Sequence, residues 1–494
     1  MADVLMTHSY HLPYDRKQVR KMQPYPPLGT LYAAALLREH GMSVAVFDTM
    51  LCDPEAGFAE ALRRHRPRIV AIYEDDFNFL SKMCLTRMRE VAWELTRQAR
   101  ASGAQVIAHG SDATDHSDEY QEEGINFILL GEAEFTLLEL CSALLRGQDT
   151  DDIGGVLSRP AGPVNHVPVP GQHWLCLPTP ARELIDLAPY RQAWRDAHGY
   201  FSLNIVASRG CPYRCNWCAK PISGDRFHVR PAAQVAQELA ELKTIYEADH
   251  AWFGDDVFAL NRHWAQQFAD EVKIRHELLP FKIQSRADLM TADTVDALRR
   301  AGCAEVWMGV ESGSQKVLDA MDKGLTVDQV IAARERLRKA GIRACYFLQF
   351  GYVGETWADI LETVALVRQT RPDDIGVSVS YPLPNTRFYE KVQARLGRKR
   401  NWSDSDDLSV MFKGTYTDDF YRALRDALHA EVDGWGLAAF DGTARERTNA
   451  LWRRVLELEP VSRHANPTQL ETDGDVGTTF PRSTFVPLGQ LQRA

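Results

Sequence analysis

The segment that decides the fold reads Ser208-Arg-Gly-Cys211-Pro-Tyr-Arg-Cys215-Asn-Trp-Cys218. Its three cysteines have the spacing C-x3-C-x2-C and follow directly on an apolar, strand-like run at 201–207. Thiolates are soft ligands that suit iron–sulfur centres, and three of them leave one iron of a four-iron cluster without a protein ligand. Gly210 permits a tight turn before the first cysteine. The segment is therefore predicted to bind an iron–sulfur cluster.

A structural zinc site is the alternative interpretation of this loop. Such a site usually takes four ligands, commonly from two paired knuckles. The chain has no second C-x2-C pair, Cys176, Cys303 and Cys345 are single and distant, and His228 is a candidate for a fourth ligand. The strand that precedes the loop favours iron–sulfur. The other six cysteines are interpreted as small buried side chains.

Strand-like runs and amphipathic helical segments alternate between residues 200 and 395. The six apolar runs that we predict to be strands lie at 201–207, 250–253, 281–284, 305–308, 344–350 and 376–381. Six βα repeats without a reversal indicate a barrel or partial barrel. The active face of such a barrel lies at the carboxyl ends of its strands.

Residues 1–148 show a similar alternation. Five predicted strands lie at 3–6, 43–48, 68–73, 105–108 and 125–130. This pattern predicts a doubly wound parallel sheet with helices on both faces and ligands beyond the carboxyl ends of the strands. Residues 149–199 are rich in Pro and Gly and are predicted to be a linker that ends in a short helix. Residues 396–494 are predicted to be a helical region with a loose tail.

Composition sets the class of protein. The chain has 494 residues, of which 45% are hydrophobic and 25% charged, so a wholly disordered chain is excluded. No apolar run reaches the length of a bilayer span, and the N-terminus lacks the order of a signal peptide. A net charge of -10 without a long basic block disfavours a nucleic-acid partner. Nine cysteines without a secretory signal favour a cytoplasmic location.

The cysteine loop after the first strand of the second series resembles that of the radical SAM superfamily, and the resemblance covers about residues 200–395. It implies a [4Fe-4S] cluster on Cys211, Cys215 and Cys218. It further implies that S-adenosylmethionine (SAM) binds the fourth iron. One electron then cleaves SAM to methionine and a 5′-deoxyadenosyl radical.

The same resemblance implies SAM contacts at the ends of the next strands. The residues concerned are Asp255 and Asp256 after the second strand, Arg286 after the third, and Glu311 and Ser312 after the fourth. The planar fork of an arginine suits the carboxylate of SAM. Each residue also has a structural interpretation, as a helix cap, a surface charge or a salt-bridge partner. The turn Gly351-Tyr-Val353-Gly354-Glu355 departs from relatives, which often have Pro in place of Val353.

The N-terminal sheet resembles the domain that precedes the core in cobalamin-binding radical SAM enzymes. The resembling segments are Pro26-Pro27-Leu28-Gly29, His109-Gly110-Ser111-Asp112 and Gly131-Glu132-Ala133-Glu134. The resemblance implies cobalamin contacts from Gly110, Ser111, Asp112, Gly131 and Glu132. Small residues at 110 and 111 would let the flat macrocycle approach the backbone, and a helix starting at 132 would face the nucleotide tail.

This domain departs from many cobalamin-binding domains in one respect. The motif D-x-H-x-x-G, which supplies a lower ligand to cobalt, is absent, and Asp115 and His116 are adjacent. Water, an apolar residue or the loop at 75–78 are the candidates for that position. The alternative is a nucleotide-binding or purely structural domain, although no G-x-G-x-x-G follows the first strand.

Together these features predict an α/β protein with an N-terminal Rossmann-like sheet, a partial (β/α)6 radical SAM barrel and a small helical C-terminal region. The predicted cofactors are a [4Fe-4S] cluster, SAM and cobalamin. The predicted activity is hydrogen abstraction followed by methyl transfer from methylcobalamin to an unactivated carbon of a small molecule. We expect an external electron donor of the flavodoxin or ferredoxin type.

Two other functions stay open. One is cyclisation or oxidative rearrangement without methyl transfer, since residues 401–421 resemble magnesium-protoporphyrin monomethyl ester cyclase-like members of the family. The other is a non-enzymatic cobalamin or metal sensor. The sequence does not distinguish these activities or name the substrate.

Overall fold

The computed structural model describes residues 1–77, 86–158, 174–220, 222–396, 408, 410–435 and 442–463. These residues divide into two compact units. Unit 1 consists of Met1–Pro212 and Lys220–Asp256, and unit 2 consists of Tyr213–Ala219 and the described residues from Val257 onward. In the part of the chain that is described, no helix has the length and apolar character needed to cross a bilayer.

Unit 1 contains a six-stranded sheet. Its strands are β1 (Val4–Thr7), β2 (Val44–Phe47), β3 (Ile69–Tyr73), β4 (Gln105–His109), β5 (Phe127–Leu129) and β6 (Val156–Ser158). Their order is β2-β1-β3-β4-β5-β6, and all pairs are parallel except β5 with β6. The order in which strands are added changes side between β1 and β3, since β2 lies on one side of β1 and β3 lies on the other. In doubly wound sheets, such a switch point is where ligands bind.

Helices cover both faces of this sheet, and each face has its own apolar core. The helices of unit 1 are α1 (Arg16–Lys21), α2 (Leu28–Glu39), α3 (Pro54–His65), α4 (Thr86–Ala101), α5 (Ser111–Asp115), α6 (Ser117–Glu122), α7 (Glu134–Arg146), α8 (Ala188–His198) and α9 (Ala232–Thr244). Met6 and Ala71 belong to one core, whereas Leu5 and Val70 belong to the other. Successive strand residues point to opposite faces, which explains this division.

Unit 1 also holds the start of the second βα series. Strands β7 (Ser202–Ile205) and β10 (His250–Phe253) pair in parallel, and β8 (Ser208–Arg209) and β9 (His228–Val229) form a short antiparallel pair. The pair β8–β9 leads directly into the cysteine loop.

Unit 2 continues the series with four parallel strands in chain order. They are β11 (Phe281–Ser285), β12 (Cys303–Glu311), β13 (Arg343–Phe350) and β14 (Asp374–Val379). Its helices are α10 (Arg262–Arg275), α11 (Ala292–Ala301), α12 (Gln315–Ala320), α13 (Val327–Lys339), α14 (Trp357–Thr370), α15 (Arg387–Val392), α16 (Asp418–Trp435) and α17 (Gly442–Arg463). A capping box at Thr326 and Gln329 begins α13.

The predicted α/β class with parallel sheets is confirmed. All eleven predicted strands are present, and their ends differ from the prediction by a few residues at most. The predicted linker contains one strand that was not predicted, β6. It has only three residues and pairs with β5 as an antiparallel edge strand. Residues 78–85 and 397–407 lie outside the described residues. The first range contains the start of a helix predicted at 80–101, and the second contains part of the segment 401–421 that resembles the cyclase-like members of the family. The domain boundaries at 148, 199 and 395 stay a prediction.

Close packing around Gly313 in unit 2 gives a testable prediction. A Cβ at Gly313 would lie 2.5 Å from the Glu362 carbonyl oxygen and 2.6 Å from Thr363 Cα, both backbone atoms of α14. We expect Gly313→Ala to lower the free energy of unfolding by about 1–3 kcal/mol, because the helix backbone must shift. Gly414→Ala is the control, since its Cβ would meet nothing nearer than 3.9 Å. Urea unfolding of both variants checks this, and equal stability would contradict the packing argument.

Candidate functional site

The cysteine loop starts with a turn that only glycine accommodates. Gly210 has φ +77°, and a Cβ there would lie 2.1 Å from the carbonyl oxygen of Arg226. The Lys220 ammonium donates to the carbonyl oxygen of Cys211 over 2.7 Å. These contacts, all within unit 1, fix where the loop leaves β8.

The middle of the loop is held within unit 2 by Asn216, which sequence reasoning did not single out. Its backbone N–H donates to the Met321 carbonyl oxygen over 3.0 Å, and its side-chain amide donates to the Ala320 carbonyl oxygen over 2.8 Å. The Tyr352 hydroxyl donates to Asn216 Oδ1 over 2.9 Å. The only signal for this role in the sequence was the position of an asparagine between two of the cysteines. Its partners lie more than a hundred residues away.

Arg286 lies beside Cys215, with Nη1 4.0 Å from Sγ. Its Nη2 donates to the carbonyl oxygen of Lys323 over 2.8 Å, and its guanidinium lies 3.7 Å from the centroid of the Tyr213 ring. The group is thus held rigidly. Arg286 therefore places a positive charge beside Cys215.

The three predicted cluster ligands do not appear together in one unit. Cys211 belongs to unit 1, and Cys215 and Cys218 belong to unit 2. Among the described residues, no group of three or more His, Cys, Asp or Glu side chains is arranged to hold a metal ion. The donor chemistry nevertheless fits an iron–sulfur cluster, because all three cysteines are free thiols and Cys215 has a cationic neighbour.

Glu311 forms a buried ion pair with Lys323, which sequence reasoning missed. Glu311 Oε1 lies 2.7 Å from Lys323 Nζ, and both side chains are almost fully buried. Burial lowers the pKa of Lys323, but the negative charges of Glu311 and Cys215 raise it by more, so its net shift is upward. Lys323 is therefore a positive charge beside the cysteine loop. Glu311 itself has φ +63°, a strained conformation for a non-glycine residue.

Ser312 has structural partners. Its hydroxyl lies 3.1 Å from Thr363 Oγ1 and accepts the Ser314 N–H over 3.1 Å. These contacts hold the turn from β12 into α12. The SAM contact that the resemblance implies for Ser312 stays a prediction.

Asp255 and Asp256 have different environments. Asp255 is buried and accepts the Ala207 N–H over 3.0 Å and the Ser208 hydroxyl. Burial raises its pKa to about 7, although these hydrogen bonds lower it. Asp255 thus anchors the chain just before the cysteine loop, whereas Asp256 is exposed.

The turn after β13 contains a buried carboxyl group, Glu355. Its Oε2 accepts the Gly351 N–H over 2.6 Å, and its Oε1 has no hydrogen-bond partner in the described part of the chain. Burial raises its pKa to about 8, so the protonated form dominates at neutral pH.

In the N-terminal sheet, Glu134 pairs with Arg209. Arg209 Nη1 donates to Glu134 Oε2 over 3.1 Å, and Nη2 donates to Oε1. Both side chains are 3% exposed, and burial raises the pKa of Glu134 less than Arg209 lowers it. Arg209 precedes Cys211 by two residues, and Glu134 is the first residue of α7. The helix therefore begins at Glu134, two residues later than predicted.

The residues predicted to contact cobalamin also lie at the carboxyl edge of this sheet. Some of their side chains have hydrogen-bond partners within the protein and others have none among the described residues. Asp112 accepts two hydrogen bonds from Arg89, over 2.7 and 2.6 Å, and one from the Tyr120 hydroxyl over 2.8 Å. Ser111 Oγ and Glu132 Oε1 are buried without a hydrogen-bond partner among the described residues. Buried polar atoms normally have partners, so these two fit a polar ligand.

The two glycines of this set have positive φ angles, +142° at Gly110 and +70° at Gly131. A Cβ at Gly110 would lie 2.9 Å from Glu74 Cβ. The close neighbour that Gly110 accommodates in this structure is therefore Glu74. The approach of a macrocycle to this glycine stays a prediction.

Two buried histidines, His8 and His109, lie at the same edge. His109 begins one of the segments that resemble the cobalamin-binding family, whereas His8 was not singled out from the sequence. His109 Nε2 donates a hydrogen bond to the Gly131 carbonyl oxygen over 2.9 Å, and burial lowers the pKa of His109 to about 4. A neutral ring donates in this bond. His8 Nε2 lies 2.8 Å from Asp48 Oδ1, and burial lowers the pKa of His8 less than Asp48 raises it. His8 directly follows β1, and His109 is the last residue of β4. A histidine at the carboxyl end of a predicted strand was thus the signal that the sequence offered.

Residues 205–367 match the sequence model of the radical SAM superfamily. The chain therefore contains a radical SAM domain. An uncharacterized methyltransferase of Pyrococcus horikoshii is 26% identical over 397 residues, which are 78% of this chain and 83% of the relative. The anaerobic magnesium-protoporphyrin IX monomethyl ester cyclase of Synechocystis sp. is 25% identical, with 74% of this radical SAM chain and 72% of the relative covered.

Two solved structures share the fold of this chain. TsrM from Kitasatospora setae, with cobalamin and a [4Fe-4S] cluster bound, has a TM-score of 0.66 and 20% identity, and the match covers 79% of this chain and 78% of TsrM. OxsB, with aqua-cobalamin and SAM bound, has a TM-score of 0.69 and 16% identity over 94% of this chain and 72% of OxsB. The resemblance stated from the sequence is confirmed.

Glu355 makes the stability of the protein depend on pH. Its pKa is about 8 in the folded state and about 4.5 in an unfolded chain, so folding takes up a proton between these values and stability falls as pH rises. We expect Glu355→Gln to remove this slope and to gain roughly 1–3 kcal/mol relative to wild type between pH 5 and pH 8. Glu362→Gln, on the exposed face of α14, is the control. Urea unfolding across this pH range measures the effect, and parallel profiles for wild type and Glu355→Gln would refute it.

Proposed function

We propose that this chain is a cobalamin-dependent radical SAM enzyme that methylates an unactivated carbon of a small molecule. The observation that carries the proposal is the C-x3-C-x2-C loop in the radical SAM region, with Arg286 beside Cys215 and Lys323 Nζ 5.9 Å from the centroid of the Trp217 ring. Relatives named as methyltransferases, among them the bacteriochlorophyllide d C-8(2)-methyltransferase of Chlorobaculum tepidum, support methyl transfer.

In this proposal Cys211, Cys215 and Cys218 hold the [4Fe-4S] cluster. When bound, the cluster supplies the electron that cleaves SAM, and cobalamin carries the methyl group. Arg286 places a positive charge beside Cys215, and Asn216 fixes the loop between the second and third ligands. Asp255 orients the entry to the loop from β7. Asp256, Glu311 and Ser312 are the other candidates for SAM contacts.

The N-terminal sheet would hold cobalamin at the carboxyl ends of its strands. Ser111 and Glu132 offer the buried polar atoms without partners, and Gly110 and Gly131 lie in the loops that resemble the cobalamin family. Asp112 positions these loops through Arg89. The electron would come from a flavodoxin or ferredoxin type donor, and we expect the enzyme to be cytoplasmic.

Cyclisation or rearrangement without methyl transfer is the second candidate function. The similarity to the Synechocystis cyclase favours it, since that relative matches over 74% of this chain. The two activities differ in products. Methyl transfer consumes two molecules of SAM: one gives up its methyl group and becomes S-adenosylhomocysteine, and the other is cleaved to methionine and 5′-deoxyadenosine. The second reaction cleaves SAM without this demethylation and yields no S-adenosylhomocysteine.

The cysteine loop gives the test of this proposal. Protein reconstituted anaerobically with iron, sulfide and cobalamin is given methyl-labelled SAM, a reductant and cell extract as the source of substrate. We expect both S-adenosylhomocysteine and 5′-deoxyadenosine from wild type. Cys215→Ala should lose more than about 100-fold in 5′-deoxyadenosine, because even outer-shell changes cost 10–100-fold at metal sites. Cys345→Ala, a buried thiol on β13, is the control.

The outcomes separate the candidate functions. 5′-Deoxyadenosine without S-adenosylhomocysteine would favour the cyclase class. Unchanged iron content in Cys215→Ala and Cys218→Ala would overturn the assignment of the cluster ligands. A sensor that only binds cobalamin would lose nothing on Cys215→Ala.

Cobalamin binding gives a separate prediction. We expect Ser111→Ala to weaken cobalamin binding by about tenfold, because a hydrogen bond to the ligand is lost. Ser142→Ala is the matched control, since Ser142 Oγ donates to the Leu138 carbonyl oxygen within α7 over 2.7 Å. Spectroscopic titration with aqua-cobalamin measures both. Equal affinity in the two variants would remove Ser111 from the proposed site.

A further inference from the structure

One face of the sheet in unit 2 carries two partly exposed aromatic rings. Trp307 on β12 and Phe347 on β13 lie with ring centroids 4.8 Å apart and an interplanar angle of 30°. Phe347 is 36% exposed. Strands of parallel sheets are usually buried on both faces, so an exposed Phe in the middle of β13 is unexpected. We call this pair the aromatic platform.

The aromatic platform has glycines as strand neighbours. Phe347 pairs with Gly309 on one side and with Gly376 on the other. A Cβ at Gly376 would lie 3.2 Å from Phe347 Cδ1 and 3.5 Å from Trp307 Cζ3. The rings therefore rest over Gly376, and their outer faces form a surface on which a planar molecule can stack.

Two buried polar atoms without partners lie at the carboxyl end of this face. Gln349 follows Phe347 by two residues and pairs with Ser378, and Ser380 follows Ser378 by two residues. The two-residue alternation of strands places Gln349 and Ser380 on the side of the aromatic platform. Gln349 Oε1 and Ser380 Oγ have no hydrogen-bond partner among the described residues. A ligand N–H or O–H group would satisfy such atoms, which are costly to leave unpaired.

The aromatic platform also lies next to the Glu311–Lys323 pair. A Cβ at Gly309 would lie 2.7 Å from Glu311 Oε1 and 2.9 Å from Lys323 Nζ. Gly309 is two residues from Trp307, so the ion pair shares this face of the sheet. Lys323 Nζ lies 5.9 Å from the centroid of the ring of Trp217 in the cysteine loop, so the aromatic platform and this loop lie near one another in unit 2.

We propose that the aromatic platform binds a planar aromatic ring that carries an N–H or O–H group, with Gln349 and Ser380 as its hydrogen-bonding partners. That the bound molecule is the substrate rests on the proposed function. Two aromatic rings select a planar partner over an aliphatic one, because stacking adds to the burial of apolar area. The two unpaired oxygen atoms select a hydrogen-bond donor.

Equilibrium dialysis of the full chain, reconstituted with its cluster but without reductant, tests the proposal with two probes. Benzamide and cyclohexanecarboxamide carry the same amide, and only benzamide is aromatic. We expect benzamide to bind at least about fivefold more tightly. Phe347→Leu, which keeps the apolar volume, should remove this preference. Leu361→Ala, at an exposed apolar position on α14, is the control and should retain it.

Gln349→Leu tests the polar part of the proposal. It should weaken benzamide binding by about fivefold or more and leave binding of toluene, which has no amide, unchanged. Loss of toluene binding as well would indicate a packing role for Gln349 and would overturn its assignment.

Equal affinity for the two amides, or a preference for benzamide that survives Phe347→Leu, would overturn the proposal. Concentration-dependent dimers in sedimentation that Phe347→Asp abolishes would assign the face to a second copy of the chain and would also overturn it. No reductant is present, so these results do not depend on turnover. A failure of methyl transfer is thus distinguishable from a failure of the aromatic platform.

Discussion

The buried ion pair between Arg209 and Glu134 is the interaction on which much of unit 1 depends. It joins β8, two residues before Cys211, to the first turn of α7 in the N-terminal sheet. Removing either partner would leave an uncompensated charge in a site that water does not reach, which costs roughly 3–5 kcal/mol in proteins. The pair thus ties the loop that resembles a cobalamin contact to the strand that leads into the cysteine loop.

A second buried network supports the same connection. Arg182, in the segment between the two βα series, and Arg230 both pair with Glu238 on α9, over 2.9 and 2.7 Å. Arg230 also donates to the Tyr32 hydroxyl on α2 over 3.1 Å. Two arginines on one carboxylate keep that carboxylate ionised, and burial raises the pKa of Glu238 less than they lower it. The first βα unit of the second series is therefore fixed to the N-terminal sheet by charge as well as by apolar packing.

Unit 2 places its charges differently. Its buried cations, Arg286 and Lys323, lie beside Cys215, whereas its buried carboxyl group Glu355 lies in the turn after β13 and holds a proton at neutral pH. Positive charge near cysteine ligands favours metal binding. The local electrostatics thus agree with the chemistry of a radical SAM core.

The sequence by itself determined the elements and the family of this protein. Apolar periodicity predicted eleven strands of the parallel sheets, and the spacing of Cys211, Cys215 and Cys218 predicted the radical SAM core, because both patterns are local. Only the tertiary structure decided the partners of the site residues. Lys323, Asn216 and the aromatic platform came from pairings between segments distant in sequence, which follow from strand order and burial. Local periodicity carries no information on which distant side chains meet, and that is why these contacts were not predictable.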